Sequence, residues 1–402
     1  MSKLTIDGID VARKRVLVRV DFNVPLTGAG EVLDDRRIRM AIPTLRSVLD
    51  RGGSLVLMSH RGRPAGDGFE AAFSLRPVAK RLAELLPGVP VELADEDCIG
   101  ADAERAVAAL DPGGVVLLEN LRFHAAEKSN DSEFAAKLAA FGDVYVNDAF
   151  GTAHRAHASM VGVPEAMRDR HRVAGRLLEA ELAFLSEAID DAAAPFVAVL
   201  GGAKVSDKLG AIRNLLPRVD AVVIGGGMAY TFLSVLGVSI GRSLFEEDMV
   251  DEARGIMEEA KSLGRTLLLP VDSMCAASPD AGDSACVIEG DIPSGLMGLD
   301  IGPASATAAA EVLRSAGTVV WNGPMGVFET PPFDAGSRAV ADAVADATRQ
   351  GAISVIGGGE TAAAIDSFGL SDAVSHVSTG GGASLQMLEG RSFRSVELLE
   401  DA

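Results

Sequence analysis

Short, almost wholly apolar runs alternate with longer stretches of helical periodicity along this chain, and that alternation restricts the fold more than any other feature. The runs are RVLVRVDF (15–22), SLVLMSH (54–60), VVLLEN (115–120), DVYVND (143–148), FVAVLGG (196–202), AVVIGGG (221–227), TLLLPVD (266–272), TVVWNG (318–323) and AISVIGGG (352–359). A strand with one wet face alternates apolar and polar residues, whereas a strand covered on both faces is apolar throughout. Between the runs lie Ala-, Leu- and Glu-rich segments such as LRPVAKRLAELL (75–86) and SRAVADAVADATRQ (337–350). Strand–helix alternation of this kind means βαβ units and a parallel sheet with helices on its faces. Aromatic residues make up only 4% of the chain, so Ala, Val, Leu and Gly must do the packing.

At 402 residues the chain exceeds the roughly 250–300 residues that one core accommodates, so two domains are expected. The division is placed near 165–190, where VPEAM gives way to RVAGRLLEAELAFLSEAID. This segment reads as a linking helix at about 172–190 between two doubly wound parallel α/β domains, 1–170 and 171–386. The net charge of −20 argues against a general nucleic-acid binder. The charge is uneven: residues 1–170 hold 22 Lys and Arg against 25 Asp and Glu, and residues 171–402 hold 15 against 32. Cys98, Cys275 and Cys286 form no CxxC and no metal-ligand spacing, which fits a reducing compartment. MSKLTIDGID does not read as a signal peptide, and no run of about 18 apolar residues could span a membrane. A cytoplasmic protein without membrane or nucleic-acid partners is expected.

Ligands of doubly wound sheets bind beyond the carboxyl ends of the strands. In the first half those ends carry Arg19, Asp21 and Asn23; His60, Arg61 and Arg63; Arg122 and His124; and His154, Arg155 and His157, while Arg36, Arg37 and Arg39 follow the loop 26–35. One such arginine is usually a solvated residue or half of an ion pair. Four strand ends that each deliver one point to an anion site, because the planar guanidinium fork binds phosphate or carboxylate bidentately and stays charged. An anion would repel Asp21, so its partner is an arginine or a substrate hydroxyl. A small ligand with hydroxyl, carboxylate and phosphate groups fits this set. His60, His154 and His157 could suggest a metal, but the surrounding arginines make a poor cation site and favour hydrogen-bonding or anion-binding roles.

The second half ends its strands in GGAKVSDK (201–208), GGGMAY (225–230), NGPMGVFE (322–329), GGGET (357–361) and TGGGAS (379–384). Glycine lets backbone approach a ligand closely, and a turn that opens a helix presents N–H groups to phosphate. A single GGG is more often just a tight turn. Repetition on one sheet, with Lys204 and Lys208 four residues apart, points to a nucleotide. The GxxxxGK[ST] loop is absent, so the phosphate contacts would be spread over several turns. Both lysines are expected on one face of the helix after Gly202, with Asp207 orienting them. Glu360 is the carboxylate suited to Mg²⁺ carried by phosphates; its other reading is an acidic residue favoured by a helix N-terminus.

RVDFNVP, SHRGRP, LLENLRFH, VNDAFGTAHRAHASMVG, LGGAKVSDK, GGGMAYTF, MGLDIGP, WNGPMGVFE, IGGGET and HVSTGGGASLQMLEG occur in order from residue 15 to 390. Together they resemble the phosphoglycerate kinase family. The resemblance implies two Rossmann-like domains facing across a hinged cleft and a monomer. The implied reaction is reversible, Mg²⁺-dependent transfer of the acyl phosphate of 1,3-bisphosphoglycerate to ADP, giving 3-phosphoglycerate and ATP. It implies phosphoglycerate binding in 1–170 through Asp21, Asn23, Arg37, His60, Arg63, Arg122 and Arg155, with Arg37 the main catalytic arginine. It also implies nucleotide binding in 171–386 through Lys204, Lys208, Gly298, Asn322, Glu329, Gly358, Gly359, Glu360 and Thr361. Gly298 would line the base, Glu329 would meet the ribose, Glu360 would hold the metal, and Lys204 with the Gly381 and Gly382 amides would act on the phosphoryl group in flight. Residues 387–402 would return to the first domain. The family commonly has Asp where Glu360 stands and Leu where Arg61 stands.

A nucleotide-dependent dehydrogenase would want GxGxxG after the first strand and an acidic residue about 20 positions on, which these turns do not supply. A non-catalytic nucleotide or sugar-phosphate sensor would be marked by loss of Arg37, Lys204 or Lys208, and all three are present.

Overall fold

The computed structural model describes residues 2–402. By contact the chain divides into two units, 1–183 with 392–402, and 184–391. The division falls within the helix Arg176–Asp190.

The first unit is built on β1 (Arg15–Val20), β2 (Ser54–Met58), β3 (Val91–Leu93), β4 (Val115–Leu117), β5 (Val144–Asp148) and β6 (Arg172–Ala174). They form one parallel sheet in the order β3-β4-β2-β1-β5-β6. β1, β2, β4 and β5 are buried on both faces, apart from partly covered Arg15 at one end, which is why they read as unbroken apolar runs. The helix Arg76–Leu85 has Pro77 in its first turn, where the missing N–H costs nothing, and turns Val78 and Leu82 into the core. The expected linking helix begins at Arg176, because Arg172–Ala174 instead pair with Tyr145–Asn147 as an edge strand. The carboxyl terminus packs with this unit: the Leu4 N–H donates to Glu400 O at 2.8 Å and Ser395 Oγ to Ala153 O at 2.6 Å. Residues 387–391, expected in that tail, group with the second unit, where Asn214 Nδ2 donates to Leu388 O.

The second unit contains β7 (Phe196–Leu200), β8 (Ala221–Ile224), β9 (Thr266–Leu268), β10 (Asp272–Ala276), β11 (Cys286–Glu289), β12 (Met297–Ile301), β13 (Thr318–Asn322), β14 (Ile353–Gly357) and β15 (His376–Val377). Six of these make a parallel sheet ordered β15-β14-β13-β7-β8-β9. This is the Rossmann order, with its switch point between β7 and β13. The helices Pro303–Arg314 and Ala335–Arg349 pack against each other and bury small residues, Ala306, Ala309 and Ala310 on one and Ala341, Ala343 and Ala347 on the other. That is how so few aromatics suffice. The exception is Trp321, fully buried, whose indole N–H donates to Gly323 O at 2.7 Å. One feature departs from the expected architecture. The run 266–272 is two strands, and β10 leads into a separate antiparallel sheet ordered β11-β10-β12.

Candidate functional site

In the first unit β4, β2, β1 and β5 are neighbours, so their carboxyl ends bring the arginine-bearing turns side by side. Polar side chains tie the turns together. Asn23 Oδ1 accepts the Gly62 N–H at 2.8 Å, Asn120 Nδ2 donates to Arg61 O at 2.7 Å, and Arg122 Nη1 donates to Gly62 O at 2.8 Å. Arg37 lies in the first turn of the helix Arg36–Leu49 and donates to Asp21 Oδ2 at 2.9 Å. Asp21's repulsion of an anion is thereby offset by an arginine. Arg63 and Arg155 are exposed, and Arg122 is buried.

Arg19, read from the sequence as one of the strand-end arginines but outside the set the resemblance implies, instead lies fully buried within β1 and organises this site through its side-chain contacts. Its Nε donates to Ser159 Oγ at 2.9 Å, Nη2 lies 3.1 Å from His60 Nδ1, and Nη1 donates to Val20 O. Ser159 Oγ in turn donates to buried Glu127 at 2.6 Å, so a buried carboxylate balances the buried guanidinium through a hydroxyl. The sequence signal for this was a charged residue inside an otherwise apolar strand. Burial and then Arg19, Arg122 and Arg155 hold His60 well below its ordinary value. His157 is pushed down to about 4 by burial and then Arg122, Arg19 and Arg155. Arg122 itself is pushed down to about 10 by burial, Arg155 and Arg19. Crowded positive charge of this kind is relieved by an anion and made worse by a metal ion. Arg122 Nε and His154 Nδ1 are buried without hydrogen-bond partners among the described residues. Arg36, Arg39 and Arg61 have other attachments or none here: Arg39 donates to Asp35, and Arg61 donates to Ser74 O and Ala72 O and lies beside Glu119.

Among the described residues one His/Cys/Asp group has metal-like spacing, Asp97, Cys98 and His124, with ligand atoms within 4.8 Å of one another. His124 Nε2 already lies 2.8 Å from Asp97 Oδ1. Burial, Asp97 and Glu127 push the Cys98 thiol well up, which keeps it protonated and a poor ligand.

In the second unit the glycine turns follow β15, β14, β13, β7 and β8, five adjacent strands. Gly201 has no room for a side chain, because a Cβ there would collide with Pro324 O. Gly358, at φ +92°, caps the helix Gly359–Ser367 in a conformation other residues rarely adopt. Lys208 Nζ donates to Asn322 Oδ1, and burial lowers its pKa while Asp207 and Glu360 oppose that. Asn322 Nδ2 is buried with no partner among the described residues. Thr361 Oγ1 accepts the Gly323 N–H at 2.7 Å. A Cβ on Gly381 would stand 3.2 Å from the Gly359 nitrogen, so the starts of the helices Gly359–Ser367 and Gly381–Leu388 adjoin. Two sets of unpaired first-turn N–H groups thus converge beside Lys208 and Asn322.

Lys204 departs from expectation. Residues 201–208 form turns, the next helix starts at Leu209, and exposed Lys204 does not share a helix face with Lys208. Gly298 lies in β12, its N–H donating to Ser243 Oγ at 2.9 Å, with the Tyr230 hydroxyl where a Cβ would project. Glu329 and Glu360 are exposed.

Two Rossmann-like α/β units, one with arginine at its strand ends and the other with glycine turns and a lysine at its own, define a phosphotransferase of small anionic substrates. A family model described as phosphoglycerate kinase matches residues 6–391. The phosphoglycerate kinase of Rhodopirellula baltica is 55% identical over 407 residues, and that of Chloroflexus aurantiacus 52% over 403, each covering 100% of both chains. The solved structure of phosphoglycerate kinase from Coxiella burnetii superposes with a TM-score of 0.87 at 40% identity, covering 98% of each chain. That from Pyrococcus horikoshii gives 0.80 at 31% identity and the same coverage. The chain belongs to the phosphoglycerate kinase family. It is a glycolytic kinase that passes the acyl phosphate of 1,3-bisphosphoglycerate to ADP, reversibly, giving 3-phosphoglycerate and ATP.

Proposed function

We propose that unit 1 binds the phosphoglycerate and unit 2 the nucleotide. The observation that carries this is the split itself: adjacent strand ends of one sheet deliver arginine, and those of the other deliver glycine turns with Lys208 and Asn322. In this reading Arg63, Arg122, Arg155 and His60 hold the phosphate and carboxylate, and Asp21 and Asn23 hold the hydroxyl and orient Arg37. His60, kept neutral, donates or accepts a hydrogen bond without adding charge. Lys208, Asn322, Gly358, Gly359 and Thr361 hold the nucleotide phosphates, Gly298 lines the base, and Glu329 meets the ribose. Lys204, on its exposed turn, joins them when ligand is bound.

Phosphoryl transfer asks for positioning and charge stabilisation rather than covalent help. The acyl phosphate is a reactive donor, so no general base is needed. Arg37 and Lys204 with the Gly381 and Gly382 amides stabilise the equatorial oxygens as ADP's terminal oxygen attacks in line. Donor and acceptor meet by hinge bending, which also excludes water that would hydrolyse the acyl phosphate. Glu360 fits a Mg²⁺ role: it is exposed in the first turn of the helix Gly359–Ser367 and close enough to Lys208 to shift its pKa. Mg²⁺ sites commonly use one or two carboxylates with phosphates and waters. The bound ion would neutralise the phosphate oxygens. We also read the enzyme as a cytoplasmic monomer; no described helix is long and apolar enough to cross a membrane.

The test is a coupled assay with 3-phosphoglycerate, ATP and Mg²⁺, following 1,3-bisphosphoglycerate by NADH oxidation through glyceraldehyde-3-phosphate dehydrogenase. Turnover abolished by EDTA and restored by Mg²⁺ supports the metal role. Turnover indifferent to EDTA refutes it.

A further inference from the structure

The cysteines, which show no motif in the sequence, do not stay apart in the fold. Cys275 in β10 stands directly opposite Cys286 in β11 in the antiparallel register. Directly opposed residues project from the same face of a sheet. The neighbours agree with this: Ile288, two residues from Cys286, packs in the same apolar cluster as Cys275, while Val287 opposes Met274, which belongs to a different cluster. Opposed Cα atoms in an antiparallel pair are about 4.5–5.5 Å apart, inside the disulfide range of about 4.4–6.8 Å. The two thiols are close enough that Cys286 adds to the rise that burial imposes on Cys275, to about 11. Both are free; Cys286 is exposed and Cys275 buried.

We propose that Cys275 and Cys286 form a reversible disulfide on exposure to peroxide, and that it weakens nucleotide binding. The exposed Cys286 thiol gives up its proton and the thiolate attacks hydrogen peroxide; the O–O bond breaks, leaving a sulfenic acid and a hydroxide that takes up that proton as water. Cys275 sulfur then attacks the Cys286 sulfur, the S–O bond breaks, and the departing hydroxide takes the Cys275 proton as a second water. Two thiols are oxidised by two electrons and one peroxide is reduced. Bond formation draws the sulfurs to about 2.05 Å, pulling edge strand β11 against β10 at Cys275. There β10 also slips register against β12, between Met274 and Cys275, and Cys275 opposes Gly298. Gly298 has no slack, being closed by the Tyr230 hydroxyl, so the shift reaches the base-lining position. This last step rests on the nucleotide reading above.

The experiment treats the reduced full-length enzyme with hydrogen peroxide, counts thiols after unfolding, and measures the KM for ADP and for 1,3-bisphosphoglycerate. Expected are a fall from three thiols to one, a mass lower by two hydrogens, and a cross-linked peptide pair containing Cys275 and Cys286. The KM for ADP should rise severalfold with the other KM unchanged, and dithiothreitol should reverse every change. Cys286→Ser, at an exposed edge position, should leave both remaining thiols intact and the KM unmoved by peroxide. Three thiols after treatment, or Cys286 carrying two or three oxygens with Cys275 still free, overturns the proposal. A complete disulfide with an unchanged KM for ADP overturns the switch. Gly298→Ala in the reduced enzyme tests the base assignment separately: an unchanged KM for ADP there refutes that assignment whatever the thiols do.

Discussion

Arg37 and Glu360 carry the sharpest expectations at the scale of the residue. Arg37 makes one ion pair, to Asp21, and is otherwise partly solvated, so removing it takes charge from the site without opening the core. Arg37→Ala should lower kcat by roughly 10³-fold or more, the scale of a charge-stabilising arginine in phosphoryl transfer, and leave ADP affinity nearly intact. A coupled assay beside ADP titration calorimetry checks both, and a large loss of ADP affinity would put Arg37 in the wrong half of the reaction. Glu360→Gln removes a carboxylate charge from an exposed position. It should raise the Mg²⁺ concentration needed for half-maximal rate at least tenfold, about 1.4 kcal/mol, with phosphoglycerate binding unaffected. Unchanged Mg²⁺ dependence would assign Glu360 to the helix dipole instead. Arg61, the odd residue of SHRGRP, is attached to the 72–74 backbone and bears on packing.

Elements show where sequence patterning succeeds and where it stops. Apolar runs identify two-faced strands because burial on both sides leaves no alternation to misread; β1, β2 and β7 start where expected. β6 and β15 are two or three residues long and held by pairing rather than composition, so β6 was lost in the segment read as a linking helix and β15 was marked only by the glycine turn that follows it. The β11-β10-β12 sheet was hidden because β11 is largely solvated and carries a short, mixed pattern. The helix Arg176–Asp190 has a more specific support. Asp148 Oδ1 accepts the N–H groups of Leu177 at 2.9 Å and Leu178 at 3.2 Å in its first turn, while burial raises this carboxyl to about 7. Its folded value therefore lies above its unfolded value of 3.8. Between those values the folded state keeps a proton that the unfolded state releases, so the stability from this group is complete below about 4 and lost as pH rises through about 7. Thermal unfolding should show that loss, of order a few kcal/mol, and Asp148→Asn should flatten it while keeping an oxygen for the two amides. The same slope in the variant would place the titration elsewhere.

For the whole molecule, the proposed division of labour rests on a signal the sequence already carries, since charge and glycine are distributed by half, 17 of the 22 basic residues of 1–170 being arginine. It could not supply the supports, since Arg19, Ser159 and Glu127 meet only after residues 140 positions apart are folded together. The division can be read without chemistry. A ligand that binds only the folded state stabilises by RT ln(1 + [L]/Kd), about 2.7 kcal/mol at 100 times Kd, and slows the local openings of the segments it touches. Hydrogen exchange on the full chain with 3-phosphoglycerate alone should protect the segments 19–23, 60–63, 120–124 and 152–157. ADP with Mg²⁺ alone should protect 201–208, 322–329, 357–361 and 379–384. Because Arg19, Arg122 and Arg155 already crowd one another, adding salt should erode the first pattern before the second: in the proposed reading the guanidiniums bind by charge, whereas the glycine turns bind largely through fixed N–H groups. Protection of the glycine turns by 3-phosphoglycerate, with the arginine turns left unprotected, would reverse the assignment of the two units.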